Sequence, residues 1–252
     1  MTALVLAALL AQTGPQTLDF KVGTGEDSER SAMVYKAKDT SKPSPLVFVW
    51  HGFTGGMRQA ALAYKVHQYW PEATFVYAQG LEVAYLGKKG PGWQISPITQ
   101  NGRDVKFFDV MLEKLKKDYN VDPNRIYTTG MSNGAIFSYV LLCERSDVFA
   151  AAAPVAGIAP LQFRNAKPKP ILITHGSEDP LLPFKQAERS RDLAIENNGA
   201  GSTTKEVAPG YQLYTPVKNG MDVVWHQHEG GHNWPEGTSQ AIVKFFKDHV
   251  KR

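Results

Sequence analysis

Short apolar runs alternate along this chain with segments of helical periodicity, and this alternation limits the folds open to it. Residues 45–50 (P-L-V-F-V-W) form an apolar run of strand length, typical of a strand buried on both faces of a sheet. Residues 104–119 instead carry their apolar side chains on one helical face. Further strands are predicted at 73–78, 125–129, 149–155, 170–174 and 223–228, further helices at 57–69, 135–144, 185–197 and 239–251, and an opening hairpin at 17–22 and 33–38. Interleaving of this kind predicts an α/β fold, with a mostly parallel sheet flanked by helices on both faces.

Composition places the chain among ordinary globular proteins. Its 252 residues are 42% hydrophobic and 21% charged, which excludes disordered, collagen-like and coiled-coil chains. Against a prior of about 150 residues per domain, this length is still compatible with a single α/β domain, which we place at residues 14–252. The 28 Lys and Arg against 24 Asp and Glu leave a net charge of +4. The lysines are scattered, so we expect no nucleic acid partner, and we expect a monomer.

The chain offers little to a metal ion. Cys143 is the single cysteine, so it can form neither an intramolecular disulfide nor a thiolate metal site. His226, His228 and His232 follow an H-x-H-x-x-x-H pattern, but no carboxylate or cysteine cluster accompanies them. We predict no metal site and interpret His226 and His228 as ordinary strand residues.

The N-terminus carries a short apolar run at residues 3–11 (A-L-V-L-A-A-L-L-A). This run is far shorter than the roughly 20 residues that span a bilayer, so we expect no transmembrane helix and no stable membrane association. Its length suits the apolar part of a secretory signal, although no Lys or Arg precedes it. We interpret residues 1–13 as a signal peptide remnant and predict a secreted or periplasmic protein. A helical stub and a misassigned start codon are the alternatives.

Three turns that follow predicted strands carry the residue types needed for nucleophilic catalysis. The turn G-M-S-N-G lies between a strand and a helix, the context in which a strained elbow exposes a serine hydroxyl, here that of Ser132. The turn H-G-S-E-D-P supplies Asp179, and the turn G-G-H-N-W-P supplies His232. Active sites of such sheets gather at the carboxyl ends of the strands. The order serine, acid, histidine is that of α/β-hydrolases, not that of chymotrypsin or subtilisin.

The chemistry assigns a role to each of these residues. A serine hydroxyl is a weak nucleophile unless a neighbouring base takes its proton as it attacks. We expect His232 to be that base for Ser132, and Asp179 to hold the imidazole in the required tautomer. Glu178, directly before Asp179, is the alternative acid.

An oxyanion also needs two backbone N–H donors. The loop H-G-F-T-G-G directly follows the buried strand at 45–50, so it suits one donor, and the elbow suits the other. We expect Phe53 and Met131 to donate, with Thr54 as the alternative to Phe53.

Several motifs together resemble a known family. H-G-F-T-G-G, Y-N-V-D-P-N-R-I-Y-T-T-G-M-S-N-G-A, H-G-S-E-D-P-L-L-P-F and G-G-H-N-W-P look like the feruloyl esterases and polyhydroxybutyrate depolymerase-like esterases of carbohydrate esterase family 1. The resemblance implies an α/β-hydrolase fold, no cofactor, a triad of Ser132, Asp179 and His232, and secretion. It also implies that Trp93 lines the substrate cleft and that Trp234 supports the histidine loop and contacts substrate.

The chain departs from that family in its cysteines. Relatives often carry a cysteine in the loop after the first H-G and further cysteine pairs, whereas this loop holds Phe53 and Cys143 stands alone. This difference counts against the disulfide-bearing polymer depolymerases. We therefore predict a serine carboxylesterase that releases feruloyl or acetyl groups from plant cell-wall polysaccharides through an acyl-enzyme. A polyhydroxybutyrate-type polyester hydrolase is the alternative within enzymes, and a catalytically silent carbohydrate-binding module is the alternative outside them.

Overall fold

The structure, a computed structural model, describes residues 14–85, 87–217 and 219–251. Helices cover both faces of a large mixed sheet. Its strands and those of a separate hairpin are β1 (Gln16–Lys21), β2 (Glu29–Tyr35), β3 (Ser44–Trp50), β4 (Thr74–Ala78), β5 (Leu81–Tyr85), β6 (Lys88–Gly92), β7 (Val121–Met131), β8 (Ala151–Val155), β9 (Ile171–Gly176), β10 (Ala200–Ala208), β11 (Tyr211–Pro216) and β12 (Val223–His228). The helices are α1 (Met57–Tyr64), α2 (Arg103–Asp118), α3 (Asn133–Arg145), α4 (Phe184–Asn198) and α5 (Thr238–Asp248).

The large sheet has ten strands in the order β1-β2-β4-β3-β7-β8-β9-β12-β11-β10. The central strands from β4 to β12 run parallel, and antiparallel strands complete both edges. β10 is one edge strand, is exposed along most of its length, and pairs with β11 through two irregularities of register. Among the described residues, β5 and β6 pair only with each other.

Alternation along the buried strands divides the core between the two faces of the sheet. In β3, Phe48 and Trp50 belong to the core beneath α2, α3 and α4, whereas Val47 and Val49 belong to the core beneath α1 and α5. Every residue of β3 is buried, because both faces of the strand are covered. No helix among the described residues is both long enough and apolar enough to cross a bilayer.

The observed helices and strands differ from the predicted ones at two places. The predicted helix at 57–69 is broken after Tyr64, because Lys65 adopts the left-handed conformation with φ of 52°, and a short 3-10 turn follows. The hairpin of β5 and β6 and the pair of β10 and β11 were not predicted. In each pair one strand lacks a strand signal, because β6 (K-K-G-P-G) is rich in glycine and lysine and β10 is exposed along most of its length.

The apolar run within residues 1–13 lies outside the described residues. Cys143 is half-buried on α3 and packs against the core, and burial raises the pKa of its thiol to about 12. The thiol is therefore a small apolar group there rather than a reactive one.

Candidate active site

Ser132 occupies a sharp turn between β7 and α3. Its backbone has φ of 57° and ψ of −121°, an unusual conformation for a residue with a side chain, and its N–H donates to Val155 O at 2.9 Å. Gly130 and Gly134 allow the turn to approach the end of β3. A Cβ atom at these positions would lie 2.7 and 2.4 Å from Trp50 O. The glycines of G-M-S-N-G are therefore required by close backbone contact, and the turn is a nucleophile elbow.

Asp179 is held by three donors at the end of β9. Its Oδ1 accepts the N–H groups of Leu181 and Leu182 at 2.8 and 2.9 Å, and its Oδ2 accepts Nδ1–H of His232 at 2.7 Å. Burial favours the neutral acid, but the three hydrogen bonds outweigh it, and the pKa of Asp179 lies below its usual range. Because Nδ1 of His232 donates to the carboxylate, Nε2 carries the lone pair. The rival acid Glu178 is exposed.

The histidine loop is fixed at two points. A Cβ atom at Gly176, the last residue of β9, would lie 2.2 Å from Gly230 O, so the two turns can meet only because position 176 is glycine. Trp234 stacks on Tyr64 with ring centroids 4.3 Å apart, and its Nε1–H donates to Ser239 Oγ at 3.0 Å. Trp234 thus packs beneath the loop that carries the histidine and also lines the cavity, and its contact with substrate stays a prediction.

His51 fixes the orientation of one backbone donor. Its buried Nε2 accepts Gly80 N–H at 2.9 Å, so Nδ1 carries the proton and donates to Gly52 O at 2.7 Å. Gly55 N–H donates to the same carbonyl at 3.0 Å. Gly52 C=O and Phe53 N–H belong to one trans peptide and point in opposite directions. The two hydrogen bonds that hold the carbonyl therefore also fix the direction of the Phe53 N–H. Burial lowers the pKa of His51 to about 4, which keeps the ring neutral at neutral pH.

The positions of the backbone donors differ in part from the prediction. Thr54 N–H is already engaged, because it donates to Pro91 O at 2.8 Å, so Phe53 stays the candidate donor of this loop. Met131 ends β7 and precedes Ser132, whereas Asn133 follows Ser132 and begins α3, where the first N–H groups lack helical partners. The rule that a donor follows the nucleophile therefore selects Asn133 and not Met131.

The prediction that Trp93 lines the cleft is wrong. The side chain is fully buried, stacks on Phe137 and meets Trp50 edge to face with ring centroids 5.0 Å apart. Its backbone is bound by Asn133, whose Oδ1 accepts Trp93 N–H at 2.7 Å and whose Nδ2 donates to Trp93 O at 3.1 Å. Trp93 therefore joins the loop after β6 to the elbow. The position of Trp93 after G-P-G in the sequence does not show whether its ring faces the cleft or the core.

A cavity of about 750 Å³ brings the site together, and both Ser132 and His232 line it. Several of its lining residues were not singled out by sequence reasoning: Tyr64, Tyr85, Lys88, Leu181 and Leu182. Tyr64 lies on a predicted helix, and Leu181 and Leu182 stand in the quoted motif H-G-S-E-D-P-L-L-P-F, whereas no sequence signal marks Tyr85 or Lys88. Within the described residues, no three His, Cys, Asp or Glu side chains are grouped so that they could hold a metal ion.

Similarity to known proteins gives evidence on the class of protein that is independent of the site geometry. The Prolyl oligopeptidase family matches residues 85–167, which include the elbow. Feruloyl esterase D of Neurospora crassa is 28% identical over 214 residues, covering 77% of this chain and 69% of its own. The bifunctional acetylxylan esterase/xylanase XynS20E of Neocallimastix patriciarum is 30% identical over 63% of this chain and 23% of its own. The structure of an acetyl xylan esterase from Aspergillus awamori superposes with a TM-score of 0.69 at 17% identity, covering 92% of this chain and 99% of that one.

Taken with the elbow and the strand order, these similarities define the class. The chain is an α/β-hydrolase, as predicted, and a carboxylic ester hydrolase of the serine type. Within that class its sequence is similar to feruloyl esterases, at 28 to 29% identity over 77 to 81% of the chain.

Proposed function

We propose that this chain hydrolyses feruloyl or acetyl esters of plant cell-wall polysaccharides, with Ser132, Asp179 and His232 as its catalytic triad. The observation that carries the proposal is the 2.7 Å hydrogen bond between His232 Nδ1 and Asp179 Oδ2 at the cavity that Ser132 also lines. This bond leaves Nε2 as the basic atom of the ring, which is what activation of a serine hydroxyl requires.

The reaction proceeds in two halves. Ser132 Oγ attacks the ester carbonyl while His232 Nε2 takes its proton, and the N–H groups of Phe53 and Asn133 stabilise the oxyanion. The carbonyl re-forms, the alcohol leaves with the proton from His232, and an acyl-enzyme remains. A water molecule then attacks the acyl carbon with His232 as base. The acid is released and Ser132 recovers its proton.

The substrate class is supported by the cavity walls and by the relatives. Aromatic side chains of Phe53, Tyr64, Tyr85 and Trp234 line the cavity and suit a planar hydroxycinnamoyl group. Relatives similar to this chain are a feruloyl esterase and an acetylxylan esterase by their names. We therefore place methyl ferulate ahead of short acyl esters as the diagnostic substrate.

Replacement of the nucleophile tests the proposal. We expect Ser132→Ala to lower kcat on methyl ferulate and 4-nitrophenyl acetate by about 10⁴-fold or more, because no other group can form the acyl-enzyme. Ser41→Ala, at an exposed serine, is the matched control and should retain full activity. A fluorophosphonate probe should label the wild type and Ser41→Ala but not Ser132→Ala. Undiminished turnover in Ser132→Ala would refute the assignment.

The same protein distinguishes the remaining alternatives. Clearing of a polyhydroxybutyrate suspension faster than release of ferulate would favour a polyester hydrolase. A correctly folded protein that binds polysaccharide but neither turns over esters nor reacts with the probe would favour a binding module. We further propose a monomeric, secreted or periplasmic protein. N-terminal sequencing of exported material and its sedimentation behaviour test this.

A further inference from the structure

The hairpin of β5 and β6 lies directly against the loop that carries the Phe53 donor. A Cβ atom at Gly90 would lie 2.9 Å from Thr54 Cγ2, and one at Gly92 would lie 2.9 Å from Asn133 Oδ1. Alternation along β6 places Gly90, Gly92 and Lys88 on one face of the hairpin. The two glycines allow that face to approach the loop closely, and Lys88 is the residue of this face that carries a long side chain.

Lys88 reaches the rim of the active-site cavity. It lines the cavity together with Ser132 and His232, and it pairs across the hairpin with Tyr85. The ring of Tyr85 meets that of Phe53 edge to face with centroids 5.5 Å apart, so this wall of the cavity is joined to the oxyanion loop. The position of Lys88 is therefore set by packing at its neighbours rather than by the lysine itself.

Lys88 stands apart from other Lys, Arg, Asp and Glu side chains at the cavity wall. No Asp, Glu or Arg and no other Lys is among the described residues that line it, and Lys88 forms no ion pair within the described parts of the chain. The ammonium group of Lys88 makes the potential positive at the rim beside the hairpin, whereas the Asp179 carboxylate is bound to His232 and does not line the cavity. Such a potential attracts anionic substrates and is weakened by salt.

We infer that Lys88 is a specificity-determining residue that favours esters bearing a carboxylate over neutral esters of the same size. This inference rests on the proposal that the cavity is the ester-binding site. The carboxylate could belong to the acyl group or to the alcohol, as in a uronic acid unit near an esterified sugar. Both sources present the same chemistry to the ammonium group, and the experiment separates them.

The test compares charged and neutral esters in matched variants. For the acyl side, mono-4-nitrophenyl glutarate is compared with 4-nitrophenyl valerate. For the alcohol side, 4-carboxyphenyl butyrate is compared with 4-carbamoylphenyl butyrate. Lys88→Gln removes the charge at the cavity. Lys89→Gln removes the charge of the adjacent residue, which does not line the cavity and whose side chain leaves the other face of the hairpin.

We expect Lys88→Gln to lower the ratio of kcat/KM for the anionic ester over the neutral one by about three- to fivefold on at least one side, the upper part of the range for an exposed ion pair. Lys88→Glu should lower it further, and 1 M NaCl should reduce the wild-type ratio toward that of Lys88→Gln, since the Debye length falls to about 3 Å. Lys89→Gln should keep the wild-type ratio.

Two results would contradict the role of Lys88. An unchanged ratio in Lys88→Gln on both sides, or an equal fall in Lys89→Gln, overturns the role of Lys88 while leaving ester hydrolysis intact. Full activity of Ser132→Ala would instead overturn the proposed catalytic site. The two failures are therefore distinguished by whether neutral esters are hydrolysed through Ser132.

Discussion

At the scale of single residues, the site depends on hydrogen bonds that leave each group only one useful orientation. Asp179 accepts two backbone N–H groups at one oxygen and His232 at the other, so its carboxylate cannot rotate without breaking them. Gly52 O is likewise held by His51 and Gly55. Such preorganisation is the main way in which a site of this type lowers the barrier for acyl transfer.

An uncharged amide at position 179 should therefore leave the enzyme nearly inactive. We expect Asp179→Asn to reduce kcat on methyl ferulate by about 10⁴-fold. The amide oxygen would accept the N–H groups of Leu181 and Leu182, so the NH2 group would face His232 Nδ1 and favour the tautomer with its proton on Nε2. Steady-state kinetics on purified protein measure this. Glu178→Gln is the matched control, since Glu178 is exposed, and it should leave kcat unchanged. A greater loss in Glu178→Gln than in Asp179→Asn would make Glu178 the acid.

The residues that sequence could predict are those whose surroundings are local. Ser132, Asp179 and His232 each follow a strand at the edge where the site forms, and the flanking glycines mark the turns. Trp93 could not be predicted, because its burial depends on Asn133 and Phe137, which are distant in the chain. The engagement of Thr54 could not be predicted either, because its partner Pro91 lies on an unpredicted hairpin.

At the scale of elements, the hairpin of β5 and β6 joins the oxyanion loop to the elbow. It contributes the hydrogen bond from Thr54 N–H to Pro91 O, and the residue after it, Trp93, is bound by Asn133. Sequence periodicity identified the strands of the central sheet, because burial on both faces makes them continuously apolar. It did not identify this hairpin, because K-K-G-P-G has low strand propensity. The glycines of β6 are needed where the hairpin packs closely against its neighbours.

A methyl group between the hairpin and the loop should disturb the site. We expect Gly90→Ala to lower kcat/KM on methyl ferulate by about five- to tenfold, because its Cβ would lie 2.9 Å from Thr54 Cγ2 and overpacking costs about 1–3 kcal/mol. Thr54→Ser removes that methyl group, so the double variant should regain most of the activity. Gly14→Ala, where no atom lies within 4 Å of the added Cβ, controls for the substitution itself. Wild-type kinetics in Gly90→Ala would contradict the coupling.

At the scale of the whole molecule, buried neutral histidines tie stability to pH. Burial lowers the pKa of His51 and of His226 to about 4, from an ordinary value near 6.5. His226 stacks on Tyr211 with ring centroids 3.9 Å apart, and its Nδ1 has no hydrogen-bond partner within the described parts of the chain. Between pH 6.5 and 4 the unfolded chain binds protons at these positions that the folded chain does not.

Stability should therefore fall as the pH is lowered from 6.5 toward 4 and should be insensitive to these groups above 6.5. Each such histidine contributes a slope of at most about 1.4 kcal/mol per pH unit. We expect His226→Phe, which keeps the ring stack and removes one titrating group, to flatten the dependence by up to that amount. Urea unfolding at pH 7, 5.5 and 4.5 measures it. Parallel curves for the variant and the wild type would show that His226 does not contribute.

The irregular pairing of β10 affects how this edge of the sheet can meet other molecules. An exposed edge strand presents a row of free N–H and C=O groups, which can recruit the strand of another molecule and begin aggregation. Two breaks in register, between Ala200 and Thr204 and between Glu206 and Ala208, interrupt the regular pleat of this strand. Such bulges twist an edge away from a straight template. The edge is thereby made a poor seed for intermolecular strand addition.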